Sequence, residues 1–254
     1  MSDLITITGE APVITATMHS PPANALGLPM ADALNEVCDA VESSGARVLV
    51  LRSDIEGFFA AGADIKLLGR ADGAVFHDYL RRLRGVLERI AALDAASIAA
   101  IDGHALGGGL ELSLACTLRV GGPGAKLGVP EIKLGVIPGA AGTQRLVHHA
   151  GPGAALDLLI TGRSVEAEEA HRMGLLQRLD PEGADRAAEE LAAQIAAMPK
   201  QAIAAAKRSV QAAIDLPLDG GLAVEMHEIT GLFHSPDARE GLSAFLEKRK
   251  PEFS

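Results

Sequence analysis

Tryptophan is absent from this chain, tyrosine occurs once, and aromatic residues make up 3% of it. Stacking platforms for unpaired bases are therefore few, and a net charge of -10 argues against a nucleic-acid footprint as the main business, although local basic patches survive within it. There are two cysteines, Cys38 and Cys116, both in apolar helical patterns, which excludes a disulfide framework and reads as buried reduced thiols. No apolar run is long enough to span a bilayer. The start, M-S-D-L-I-T-I-T, has neither a basic region nor an Arg- and Ser-rich amphipathic character, so the expected location is the cytoplasm. G-x-x-x-x-G-K-[ST], G-x-S-x-G, H-E-x-x-H and a helix-opening G-x-G-x-x-G with an acid downstream are all missing. ATP, serine-hydrolase, zinc-protease and dinucleotide chemistries lose ground accordingly.

What is present is a globular composition, 48% hydrophobic and 22% charged over 254 residues. That length supports one large core, or one core with a smaller appendage. Leu4 to Thr8 and Val13 to Met18 alternate as a strand pair around Gly9 and Pro12, and residues 20–24 form a turn. Leu34, Val37, Cys38 and Val41 carry helical spacing within Leu28 to Ser44, which Gly45 ends. Val48 to Leu51 reads as a short strand. The stretch from Gly57 to Lys66 reads as an apolar loop of small residues packed against something. Phe76, Leu80, Leu83, Leu87 and Ile90 mark a long helix whose Arg81, Arg82 and Arg84 face solvent or a subunit. Thr143 to Ala150 and Gly153 to Ile160 form two helices parted by Gly151-Pro152, with His148 and His149 expected at the surface and no metal site at ligand spacing. Glu166 to Met173 is a further helix and Leu176 to Leu179 a strand. From Ala184 the composition turns alanine-rich and helical, to Met198, then Lys200 to Ile214, Leu218 to Phe233 and Pro236 to Lys248. The pattern is an α/β body followed by a helical tail.

The chemistry concentrates between Ile101 and Gln144. Three glycines, Gly107 to Gly109, separate a strand-like run, Ser97 to Ile101, from a helix-like run, Leu110 to Cys116. Glycine there lets backbone N–H groups at a helix start approach a ligand. Glu111 follows within the helix, and Glu131 comes twenty residues later beside Pro130. Backbone donors with two carboxylates can polarise a carbonyl and move protons beside it. The same spacing also fits a tight corner with two solvated glutamates.

Four segments together resemble the crotonase superfamily, and within it the enoyl-CoA hydratases. They are F-A-A-G-A-D-I-K (Phe59 to Lys66), I-D-G-H-A-L-G-G-G-L-E (Ile101 to Glu111), P-E-I-K-L-G-V-I-P-G (Pro130 to Gly139) with G-T-Q-R-L, and the terminal A-F-L-E-K-R-K-P-E-F. The resemblance covers nearly the whole chain and implies a spiral of β-β-α turns in residues 1–198, with a helical oligomerisation region in residues 199–254. It implies an oxyanion hole from the backbone N–H groups of Ala63 and Gly108, and catalytic carboxylates at Glu111 and Glu131. Of the pair, Glu111 is expected to act as base on the water and Glu131 as acid at the α-carbon. It further implies that Gly139 lines the water region and that Ala23, Ala61, Asp64, Ile65 and Lys66 hold the CoA moiety. Phe245 and Lys248 would reach the nucleotide end. The implied partners are an acyl-CoA thioester and further copies of the chain, as a trimer or a dimer of trimers, with no cofactor beyond CoA, no metal, no nucleic acid and no membrane. Two departures are visible. The loop S-P-P-A-N-A-L is one residue shorter than the commoner form, and Ala141 stands where a glycine is usual. The alternatives are a Δ3,Δ2-enoyl-CoA isomerase, which manages with one acid, and a non-catalytic acyl-CoA- or RNA-binding relative.

Overall fold

The chain winds as repeated strand–strand–helix turns, and after the first turn the two strands of each go to different sheets. The computed structural model describes residues 3–63, 69 and 71–253. Ile5–Glu10 (β1) and Val13–Met18 (β2) form an antiparallel pair, and helix Leu28–Ser44 (α1) follows. Then come Val48–Ser53 (β3), Phe58–Ala60 (β4) and helix Gly73–Ala92 (α2). The next turn is Ala96–Ile101 (β5), His104–Leu106 (β6) and helix Gly108–Ala115 (α3). Leu118–Gly121 (β7) and Lys126–Gly128 (β8) lead to a single 3-10 turn, Pro130–Leu134, and to helix Gly142–Thr161 (α4). Ser164–Glu166 (β9), helix Ala167–Arg172 (α5) and Arg178–Leu179 (β10) complete the body.

The larger sheet has the order β1-β2-β3-β5-β7-β10, parallel from β2 onward, and the smaller has the order β4-β6-β8-β9. Its central strands are covered on both sides, which is why β3 and β5 read as unbroken apolar runs. Leu49, Leu51, Ala99 and Ile101 face the main core with α1, α2 and α3. Val48, Val50, Ile98, Ala100 and Val120 face helix Ala184–Ala196 (α6) through Ala184, Ala188, Leu191 and Ala192. The helical composition thus begins at Ala184, but α6 belongs with the sheet. The tail proper is Lys200–Asp215 (α7), Leu218–Phe233 (α8) and Pro236–Glu247 (α9).

Helix ends follow local chemistry. Gly45, at φ 73°, closes α1, and the Asp72 side chain caps α2 by accepting from the N–H groups of Ala74 and Val75. The arginines expected at a solvent or subunit face do lie toward the surface and are paired there: Arg81 with Asp78, Arg82 with Asp32, Arg84 with Glu88. α4 is two helical segments meeting at Gly151, whose non-helical backbone (φ 77°, ψ 164°) parts them where Gly151-Pro152 did in the sequence. Cys38 and Cys116 are buried free thiols. Among the described residues no helix is long and apolar enough to cross a membrane.

Among the described residues, several side-chain hydrogen bonds and ion pairs attach the tail near one end of the sheet. Lys207 Nζ donates to the carbonyls of Leu93 and Ala95, Arg208 pairs with Asp94, and Arg47 donates to the carbonyls of Ala196 and Phe253. All of these anchors precede β3 or β5. Gly108 lies beyond the opposite end of β5.

Candidate active site

The glycine corner is built by close backbone approach. A methyl group on Gly109 would lie 2.0 Å from the Ala60 carbonyl oxygen, so α3 rests against β4 with no room for a side chain. One residue earlier the fit is looser. A methyl group on Gly108 would meet Leu26 Cδ1 at 3.4 Å and the Ala63 nitrogen at 3.7 Å. The backbones of Ala63 and Gly108 therefore stand side by side. Gly108 opens α3, so its N–H has no acceptor within the helix and sits at the positive end of the helix dipole.

A clamp positions Ala63. The N–H of Ala61 donates to the carbonyl of Ala23 at 2.9 Å, and that of Leu26 to Gly62 at 2.7 Å. Buried Asn24 ties the same loop to Ser53 and to the Phe59 carbonyl, and the Tyr79 hydroxyl donates to the Leu26 carbonyl at 2.8 Å. Ala23 and Ala61 are thus brought together, one residue shorter loop notwithstanding. The sequence gives Asn24 only as part of a turn. Its signal was a lone amide followed by apolar Ala25 and Leu26. Asp64, Ile65 and Lys66 lie outside the described residues.

Glu111 projects from the first turn of α3 and is 3% exposed. Its Oε1 accepts two backbone N–H groups, from Ala140 and Gly142, each at 2.7 Å. Burial raises its pKa above the usual carboxylate range, opposed by those two hydrogen bonds and by the charge of Arg145. The solvated-corner alternative is excluded for this residue.

Glu131 sits in the 3-10 turn, half-buried, with Oε1 2.5 Å from where a methyl group on Gly107 would stand. Gly107, at φ 54°, is therefore required twice, by its left-handed backbone and by the carboxylate against it. Glu131 Oε2 is buried and has no hydrogen-bond partner among the described residues. Burial, with a further push from the Glu111 charge, lifts this carboxyl to about 7 against the lowering effect of its own backbone N–H. Burial thus raises both neighbouring carboxyls, and they differ in what holds them: two backbone N–H groups and the Arg145 charge oppose the rise at Glu111, and its own backbone N–H opposes it at Glu131.

Gly139 precedes the Glu111-binding N–H of Ala140, and Leu80 of α2 fills the space its side chain would take. Ala141 adopts φ 77° at the start of α4, a left-handed conformation in which glycine is at ease and alanine is strained. His149 is half-buried rather than exposed. It packs 3.4 Å from buried Arg119, and burial with the Arg119 charge pushes it down to about 4. Phe245 is 82% exposed and Lys248, with φ 56°, caps α9. A single chain leaves both on the tail, which is anchored at the other end of the strands.

The family model described as enoyl-CoA hydratase/isomerase matches residues 8–254. A probable enoyl-CoA hydratase of Bacillus subtilis is 39% identical over 248 residues, covering 95% of this chain and 95% of that protein. The mitochondrial methylglutaconyl-CoA hydratase of Mus musculus is 37% identical, covering 91% of this chain and 75% of its own. Among solved structures, an enoyl-CoA hydratase from Geobacillus kaustophilus superposes with a TM-score of 0.95 at 35% identity, over 99% of this chain and 96% of that one.

Proposed function

The chain belongs to the enoyl-CoA hydratase/isomerase family, and from that premise we propose that it adds water across the double bond of a trans-2-enoyl-CoA. One observation carries this reading. A firmly held carboxylate, and a second with one buried oxygen that has no hydrogen-bond partner among the described residues, flank a corner where two backbone N–H groups lie side by side.

The thioester carbonyl oxygen accepts from the N–H groups of Ala63 and Gly108, which stabilise the enolate-like charge that builds as the β-carbon is attacked. Glu111, anchored through Oε1, takes a proton from water as the water oxygen bonds to the β-carbon. Glu131 delivers its own proton to the α-carbon. The product is the 3-hydroxyacyl-CoA, and the proton on Glu111 then returns to Glu131. An isomerase needs only one proton carrier, so two neighbouring carboxyls with different holders favour hydration. The CoA moiety runs along Ala23, Ala61 and residues 64–66. Phe245 and Lys248 of a neighbouring copy meet its nucleotide, the tail holding a trimer or a dimer of trimers together. The exposed apolar faces of Leu218, Met226, Phe233 and Leu246 support that assembly.

Loss of the conjugated-thioester absorbance tests the reading, with 2-enoyl-CoA across chain lengths and 3-enoyl-CoA alongside. Consumption of 2-enoyl-CoA to the 3-hydroxy product is expected. Turnover of 3-enoyl-CoA alone would replace hydration by isomerisation. In the same assay Lys248→Glu should raise KM for CoA thioesters while leaving pantetheine thioesters unchanged.

A further inference from the structure

Arg145 stands behind the site and is used by no step above. It lies in the first turn of α4, three residues after Gly142, whose N–H binds Glu111. Positions three apart on a helix share a face, so the guanidinium stem and the Glu111 anchor are neighbours. The side chain is 13% exposed and makes one ion pair, to Glu88 of α2 at 3.5 Å, while Glu88 itself is half exposed and also paired to Arg84. Its Nη1 is buried and finds no acceptor among the described residues.

Packing and local helix energetics do not account for such a residue. A buried cation with a donor left over is costly, and a leucine or methionine would fill the space without that cost. A cation in the first turn also opposes the helix dipole. The charged and titratable groups that act on Arg145 are Glu88, paired with it, and Arg84 from α2, Glu111 from α3, Cys116 at the end of α3, and His149 from its own helix. Glu88 is the surface counter-charge. Cys116 is a buried thiol and His149 a neutral imidazole, neither of which needs a cation. Glu111 is the remaining anion.

We propose that Arg145 is a positioning residue for the reaction, a buried counter-charge that keeps Glu111 ionised on its two N–H anchors so that the proton of the pair resides on Glu131. The inference rests on the hydratase reading for its role in turnover, but not for its electrostatics. Glu88 moderates the effect by sharing the guanidinium.

The test is an infrared titration of the protonated-carboxyl stretch of Glu111, identified by its absence in Glu111→Gln, in wild type, Arg145→Met, Arg145→Lys and Glu88→Gln. Opposite charges nearby lower a carboxyl's midpoint by about one to three pH units. Arg145→Met should therefore raise the Glu111 midpoint by about one pH unit, and Arg145→Lys should restore most of it. Glu88→Gln, at a half-exposed position, should lower it by a few tenths. In 2-enoyl-CoA turnover the acid limb of kcat/KM should move by the same amounts, with KM unchanged. An unmoved midpoint in Arg145→Met overturns the proposal, as does a uniform loss of rate with the limb in place. If Arg145→Met does not fold, Glu88→Gln decides alone, an unmoved or raised midpoint overturning it. Failure of wild type to hydrate any 2-enoyl-CoA would remove the hydratase reading and leave the titration standing.

Discussion

The two walls of the site are built on opposite plans. On one side every residue of α3 is buried, the helix leans on β4 through Gly109, and Glu111 is fastened by two 2.7 Å hydrogen bonds. On the other, Glu131 sits in the 3-10 turn that ends at Leu134, Leu134 and the following Ile137 are 63% and 66% exposed, and one of the Glu131 oxygens has no partner among the described residues. The contrast separates two demands. A base that orients water needs a fixed lone pair, which a rigid wall provides. An acid that meets the α-carbon needs to hold a proton at neutral pH, which an unpartnered, desolvated carboxyl does.

Removing either carboxylate should have the largest effect. Glu111→Gln and Glu131→Gln should each lower kcat by about 10²- to 10⁴-fold with acyl-CoA binding nearly unchanged. In the proposed reaction both act on one addition, so the double variant should lose far less than the product of the two. Full turnover by either single variant in the absorbance assay would dissolve the contrast.

The glycine corner should divide next. Gly108→Val should cost about 10²- to 10³-fold in rate by tilting a donor away from the thioester oxygen. Gly109→Ala, whose methyl group would strike the Ala60 carbonyl, should instead cost stability, by about 1–3 kcal/mol. Thermal melts beside kinetics separate the two, and the reverse pattern would mean that Gly108 is only structural.

Glu131 should also leave a pH signature in stability. Its folded pKa of about 7 lies above the unfolded carboxylate value, so between about 4.5 and 7 the folded state holds a proton the unfolded state has lost. Stability from this group is present at low pH and declines as pH rises through that window. Glu131→Gln should therefore gain in Tm relative to wild type from pH 4.5 to 7 and level off above. A constant difference would show that the turn does not desolvate the carboxyl.

Ala141 gives the smallest effect. Relief of its left-handed strain in Ala141→Gly should stabilise the protein by about 1 kcal/mol with little change in rate, since the N–H groups beside it already hold Glu111. Destabilisation in a chemical melt would contradict this.

The larger sheet and the helices were legible because their signals are periodic or, in β3 and β5, apolar runs. Val13 to Met18, Leu28 to Ser44 and Leu218 to Phe233 coincide with the observed elements to the residue. The smaller sheet was not, because β4, β6, β8 and β9 are three residues each and have too few positions to show a period. What defines them is close approach: a methyl group on Gly103 would lie 2.3 Å from the Gly57 carbonyl carbon. The apolar Gly57 loop was recognised as packed against something, and β4 within it is the strand that supports the corner. In the site, Glu111, Glu131 and Gly108 stood out through glycine and carboxylate spacing. Arg145 and Arg119 did not, since a single arginine within an apolar stretch looks the same whether it faces water or a buried carboxylate. His149 was misplaced for the same reason.

Division of labour between the walls is tested most directly by proton exchange at the α-carbon of a saturated acyl-CoA in deuterium oxide. No water is added, so only the residue that serves the α-carbon is required, with the N–H pair supporting the enolate. Glu111→Gln should retain exchange within about tenfold of wild type, and Glu131→Gln should lose it by about 10²-fold or more. Exchange lost in Glu111→Gln and kept in Glu131→Gln, or lost equally in both, would contradict the account.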